Sequence, residues 1–211
     1  MTKKIGRLHI LTDTVLQTRF SHVELTEMAI AGGADTIQFR QKDGSTREMI
    51  EIAREMKRRC AKAGALFIVN DRLDVALASE ADGVHLGQDD FPIALAREIL
   101  GLNRIFGGSA ATLEEAENCV ADGTDYIGFG PVFPTGSKDD AGPVSGIDIL
   151  KKVVRDIPLP IIAIGGVSAN NTPEVIQAGA HGIAVISAVC CQDNPEQAAK
   201  ALFQALEIVN D

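Results

Sequence analysis

A short junction recurs along this chain, and at each copy a helix-like run turns directly into a strand-like one. The copies are Gly33-Ala34-Asp35, Glu80-Ala81-Asp82-Gly83, Asp122-Gly123-Thr124-Asp125 and Gly179-Ala180-His181-Gly182. In each, glycine or another small residue ends the helix, and no loop of any length intervenes. The copies stand about two strand-plus-helix units apart, which marks a weak internal repeat. Strand-like apolar runs fall at residues 8–11, 36–39, 66–69, 83–86, 104–107, 126–129, 161–164 and 182–186. Between them the spacing is helical. Met49, Ile52, Ala53, Met56 and Cys60 recur at three and four, as do Ala199, Leu202, Phe203 and Leu206. Ser21…Glu24, Ser45…Glu48 and Thr112…Glu115 have the spacing of a capping box, and Pro195 suits a first helical position.

Eight such units in 211 residues predict an α/β protein, a single-domain (β/α)8 TIM barrel over residues 1–211. An open doubly wound sheet is the alternative, but the pattern shows no switch point. No linker or low-complexity stretch marks a second domain. The balance of 20 Lys+Arg against 29 Asp+Glu gives a net charge of −9. That argues against a nucleic-acid partner, which calls for a basic face. An anionic small molecule is still admissible, because a few cations make one cleft positive. The opening residues lack the apolar stretch of a signal peptide, and the near-apolar run 183–191 is too short for a bilayer. The expectation is a cytoplasmic protein with no membrane contact; whether it forms a homo-oligomer stays open. The four cysteines show no Cys-x-x-Cys spacing, so neither a zinc site nor a disulfide framework is expected.

Polar clusters sit at the ends of several strand-like runs, where a barrel of this kind carries its active site. Gln38, Arg40 and Lys42 alternate along one strand direction and face the same way. A cation continuing a barrel strand calls for an anionic partner, either Asp71 or a phosphate. Asn70-Asp71 follows the third run, and Gly87-Gln88-Asp89-Asp90 follows the fourth. Either acidic cluster could simply cap the next helix. A Mg²⁺ shared by Asp71 and Asp90 would answer both. The aperiodic segment 130–145 carries Thr135, Gly136, Ser137 and Lys138, hydroxyls and a cation suited to phosphate. Gly165-Gly166 and Ser187 follow runs seven and eight, the usual phosphate-binding end of such a barrel. Among the histidines, His85 reads as a packed or supporting residue rather than a base. No nucleophile paired with a base is visible, which points to charge stabilisation of a leaving group.

These clusters, in this order, resemble the thiamine phosphate synthase family over nearly the whole chain. The resemblance rests on His9-Ile10-Leu11-Thr12-Asp13, Gln38-Phe39-Arg40-Gln41-Lys42, Val69-Asn70-Asp71, His85-Leu86-Gly87-Gln88-Asp89-Asp90, Gly130-Pro131-Val132-Phe133-Pro134-Thr135 and Ile164-Gly165-Gly166-Val167. It implies condensation of a hydroxymethylpyrimidine diphosphate with a thiazole phosphate, by a dissociative route through a carbocation. It implies that Gln38, Phe39, Arg40, Gln41, Lys42, Asn70, Ser109 and Lys138 contact the pyrimidine diphosphate. Thr135, Gly136, Ser137, Gly166, Ile186 and Ser187 would hold the thiazole phosphate, and Asp71 and Asp90 the Mg²⁺. The chain departs from the family pattern at Gln41, where Glu is usual, and at Ser137, where Thr is common. His9 replaces a common Tyr, and Ser109 lacks a His often found after it. The alternatives are the related thiazole tautomerase and a non-catalytic phosphate-binding barrel. The tautomerase uses a histidine in the region of 130–145, where this chain has none.

Overall fold

The computed structural model describes residues 4–137 and 142–208. Eight parallel strands close into a barrel in simple sequence order. They are β1 (Leu8–Thr12), β2 (Thr36–Phe39), β3 (Leu66–Asn70), β4 (Gly83–Leu86), β5 (Ile105–Ala110), β6 (Tyr126–Phe129), β7 (Ile161–Ile164) and β8 (Gly182–Val185), with β8 pairing back onto β1. The helices between them are α1 (His22–Ala31), α2 (Thr46–Ala63), α3 (Leu73–Ala78), α4 (Ile93–Leu100), α5 (Leu113–Ala121), α6 (Gly146–Asp156) and α7 (Thr172–Gln177). A short α8 (Ser187–Cys190) and a terminal α9 (Pro195–Glu207) follow β8. This is the expected (β/α)8 barrel. No helix among the described residues is long and apolar enough to cross a membrane.

The recurring junction has a structural reason. Asp35, just before β2, accepts hydrogen bonds from the backbone N–H groups of Arg7 and Leu8 at 2.8 and 3.1 Å. Asp82, before β4, does the same for Phe67 of β3, and Asp125, before β6, for Phe106 of β5, each at 2.8 Å. In the fourth copy His181, before β8, hydrogen-bonds the Ile5 carbonyl at 3.0 Å. Each even-numbered strand therefore starts with a side chain that satisfies backbone groups at or just before the foot of its odd-numbered neighbour. Left unpaired and buried, such a group would cost about 1–3 kcal/mol.

Ser21 and Ser45 form complete capping boxes at α1 and α2. Thr112 caps α5, but Glu115 turns instead to the Ala111 N–H at 2.6 Å. Met49, Ala53, Met56 and Cys60 bury one face of α2. In α9 Ala199, Leu202 and Leu206 are buried, while Phe203 stays 42% exposed. Strand β5 runs past the expected 107 to Ala110. Gly107 and Gly108 have weak strand propensity, but pairing to His85 and Leu86 of β4 carries the ladder through them. That extension places Ser109 inside a strand. The main core lies between the barrel and the helices, and a second one (Leu11, Ile68, Ile105, Tyr126, Ile162 and neighbours) fills the barrel interior.

Candidate active site

A cavity of about 1050 Å³ opens at the C-terminal ends of the strands. Arg40, Lys42, Asp71, Asp90, Ser109, Thr135, Ser137, Gly166, Ile186 and Ser187 all line it. Gln38 and Asn70 lie one layer deeper, around a small space of about 30 Å³ inside the barrel with His9, His85 and Tyr126. The alternation along β2 explains the division. Gln38 points inward, and Arg40 and Lys42 continue that face into the cavity. Phe39 points the other way into the helix-facing core, edge-on to His22 at 4.8 Å between ring centroids. Gln41 also turns away, donating to the Asp43 carbonyl at 2.7 Å. Neither side chain lines the cavity, and nor does Gly136. Lys138 lies outside the described residues.

The anionic partner of Arg40 is Asp13, not Asp71. The two form a buried ion pair, with side-chain exposures of 8% and 2%. Asp13 is itself fixed by the Val15 and Leu16 N–H groups, at 2.8 and 3.0 Å. Arg40 Nε is buried and has no hydrogen-bond partner among the described residues, and Gln38 Oε1 is in the same position. No helical or strand period links Asp13 to Arg40; parallel pairing of β1 with β2 across the intervening α1 sets Thr12 beside Phe39 and so brings the next two residues together.

The acidic clusters are not helix caps. The caps of α3 and α4 are Arg72 and Pro92, neither with a side-chain cap bond. Asp71 instead adopts a left-handed backbone, φ 63°, which swings the chain off β3. Asp tolerates this conformation better than most residues, and such outliers gather at functional sites. Asp90 Oδ2 accepts the Gly87 N–H at 2.7 Å and closes the loop after β4. On the far side of the cavity Ser137 Oγ lies 2.8 Å from Ser187 Oγ, joining the loop after β6 to the start of α8. The described part of that loop is anchored, with Val132 and Phe133 donating to the Ile164 and Gly165 carbonyls at 2.9 and 3.0 Å. Gly165 and Gly166 have φ of 90° and 66°, and a Cβ on either would strike the loop at Pro131 or at Phe133–Pro134. Their tight approach to a neighbouring backbone is thus a packing requirement as well as an opening toward a ligand.

A sequence comparison identifies the architecture. Residues 8–189 match the family model for thiamine monophosphate synthase. The chain belongs to this family. A thiamine-phosphate synthase of Methanocella arvoryzae is 54% identical over 195 residues, 92% of each chain. One from Salinibacter ruber is 51% identical over 205 residues, covering 97% of this chain and 90% of that one. The solved thiamine phosphate pyrophosphorylase of Pyrococcus furiosus superposes with a TM-score of 0.90 at 43% identity, covering 97% of both chains. Family membership makes this chain a transferase.

Sequence reasoning missed Asp13 as the partner of Arg40. It placed Gln88 in a strand-end cluster but gave it no role; the side chain lines the cavity and donates to the Ser109 carbonyl at 2.6 Å. His85 is not exposed to the large cavity but hydrogen-bonds Ser109 from within the barrel at 2.9 Å. Burial drives the His9 and His22 pKa values down to about 4, so both rings are neutral at pH 7.

Proposed function

We propose that this cavity joins a hydroxymethylpyrimidine diphosphate to a thiazole phosphate, giving thiamine phosphate and free diphosphate. The observation that carries this reading is the meeting of opposite charges: Arg40 and Lys42 line the same cavity as Asp71 and Asp90. Cations stabilise a departing diphosphate, and carboxylates hold the metal that polyphosphates travel with. Gln38 and Asn70 would meet the pyrimidine from the barrel interior, with Ser109, Arg40, Lys42 and Lys138 on its diphosphate. Phe39 and Gln41 would contribute through their backbone. Thr135, Ser137, Gly166, Ile186 and Ser187 would hold the thiazole phosphate, with Gly136 giving the loop its course.

Asp71 and Asp90 suit Mg²⁺. They are hard oxygen donors on one cavity wall, and Mg²⁺ commonly takes only one or two carboxylates. Among the described residues no three His, Cys, Asp or Glu side chains gather as a metal cage. Water and substrate oxygens would complete the shell. When bound, the ion would neutralise charge on the diphosphate oxygens.

In the reaction the methylene C–O bond breaks and its electron pair leaves with the diphosphate. Arg40 and Lys42 receive that charge, and the buried unpaired Arg40 Nε is a donor awaiting an acceptor. The thiazole nitrogen then gives its lone pair to the pyrimidine-methyl cation and closes the C–N bond. The nitrogen carries no proton to lose, so no general base is required. The thiols offer no competing covalent route. Burial raises the pKa values of all four, those of Cys60 and Cys190 to about 12, which keeps thiolate scarce. Phosphorylated substrates do not cross bilayers unaided, which accords with a cytoplasmic location. The direct test is to incubate the pure protein with both substrates and Mg²⁺ and look for thiamine phosphate. No product under those conditions would sink the reading.

A further inference from the structure

Three consecutive strands carry a chain of hydrogen bonds that ends at the cavity wall. Tyr126, the first residue of β6, is 1% exposed. Its hydroxyl lies 3.0 Å from Nδ1 of His85 on β4. Nε2 of the same ring lies 2.9 Å from Ser109 Oγ on β5. Ser109 lines the large cavity, whereas His85 and Tyr126 lie beneath it. The barrel makes room for these two rings with glycines. A Cβ at Gly107 would collide with both His85 and Tyr126, and one at Gly128 would lie 2.9 Å from His85 Cε1.

We propose that Tyr126 and His85 are positioning residues that point the Ser109 hydroxyl proton into the cavity. The direction follows from a count of donors. A buried phenol needs an acceptor for its proton; of its two neighbours, the Gln38 amide acts as a donor to the phenol oxygen, which leaves His85 Nδ1 to take the proton. Burial also pushes the Tyr126 pKa above its ordinary value, so the proton stays on the oxygen. Nδ1 therefore accepts, and a neutral ring then carries its proton on Nε2. Nε2–H donates to Ser109 Oγ, so the serine cannot spend its own proton on His85. The serine proton is left for an acceptor in the cavity. Without this bias a serine hydroxyl would be free to donate backward to Nε2 and face the cavity with lone pairs alone. Those would repel an anionic leaving group, whereas a donor aimed at developing negative charge stabilises it.

This inference rests on the proposed reaction, and two measurements keep the two separable. The first is the ¹⁵N spectrum of the histidine rings in the whole protein. There are four histidines, and a His85→Gln variant assigns the relevant signals. His85 should show a protonated Nε2 and a bare Nδ1, and Tyr126→Phe should convert it to a tautomer mixture. A wild-type ring protonated at Nδ1 overturns the relay, whatever the reaction proves to be. The second is a double-mutant cycle on the condensation rate. Ser109→Ala should lower kcat on the order of 100-fold, as for loss of one preorganised donor. Tyr126→Phe keeps the ring and should lower kcat about tenfold, the cost of one mis-set hydrogen bond, while KM for the thiazole phosphate changes less than about twofold. Adding Tyr126→Phe to Ser109→Ala should cost less than about twofold more, since the relay has then lost its endpoint. Costs that multiply would show Tyr126 acting as plain structure and overturn the proposal. So would an unchanged rate in Ser109→Ala. Absence of product from the wild-type protein is the failure of the reaction reading, and the ring spectrum still decides the relay.

Discussion

Arg40 and Asp13 form a buried ion pair across 27 residues of sequence, and it sets the direction of the only cation whose side chain is both buried and on the cavity wall among the described residues. Breaking a buried pair from one side leaves the other charge stranded, typically at about 3–5 kcal/mol. Asp13→Ala should therefore lose stability of that order in denaturant unfolding. Asp13→Asn keeps an oxygen for the Val15 and Leu16 N–H groups but weakens the hold on Arg40. It should fold and yet lose about tenfold or more in kcat/KM, while Arg40→Ala loses on the order of 100- to 1000-fold. Wild-type kinetics for Asp13→Asn would show that Arg40 needs no such support.

Asp71 offers a clean test of the metal. Its φ of 63° is one that Asn also accepts, so Asp71→Asn leaves the backbone in place. Activity should fall, and added Mg²⁺ should restore part of it, because a neutral ligand weakens the site without deleting it. Full activity of this variant in the presence of a chelator would exclude Asp71 as a ligand.

Two glycines near the cavity should behave oppositely. At Gly166, with φ 66°, a Cβ would sit 2.5 Å from the Pro134 carbonyl oxygen and 2.7 Å from Phe133 Cβ. Gly166→Ala should cost about 1–3 kcal/mol and weaken binding of the thiazole phosphate. At Gly136 a Cβ meets nothing within 4 Å. Gly136→Ala should bind the thiazole phosphate within about twofold of wild type. Thermal unfolding and calorimetry read the two effects separately. Tight binding by an unimpaired Gly166→Ala would remove that residue from the phosphate site.

The buried histidines predict a pH dependence of stability. His22 donates to or accepts from Thr12 Oγ1 at 2.7 Å, and burial lowers its pKa from 6.5 to about 4. As pH falls below 6.5 the unfolded chain binds a proton that the folded one refuses. Stability is therefore full above pH 6.5 and declines toward pH 4, by up to about 1.4 kcal/mol per pH unit for this group. His9 adds a decline in the same window. Urea midpoints measured between pH 6.5 and 5 should fall, and His22→Gln should flatten the slope. An equal slope in that variant would show that His22 is not among the titrating groups.

Much of the fold is legible in local sequence because local physics writes it there. Short apolar runs bounded by small residues mark β2, β4, β6 and β7 to the residue. The Ser-x-x-Glu spacing marks the starts of α1 and α2 because the bonds that cap a helix span three residues. The two-residue period of a strand puts Gln38, Arg40 and Lys42 on one face, and the chemistry of those side chains suggests an anionic ligand. That Phe39 and Gln41 turn away follows from the same period.

Other features depend on how the strands and loops are assembled in space. Asp13 meets Arg40, Ser137 meets Ser187 across 50 residues, and His85 stands between Tyr126 and Ser109, 41 and 24 residues away. None of these pairs has a spacing that periodicity can detect. For the strand-borne pairs the partners are chosen by the register of parallel strands, and Ser137 reaches Ser187 through the course of the loop after β6. The chain's residue types and local periods determine which elements form and which side chains can carry charge or hydroxyls. Only the closed barrel decides which of them touch, because hydrogen bonds and ion pairs act over a few ångströms of space, however far apart their partners lie in sequence.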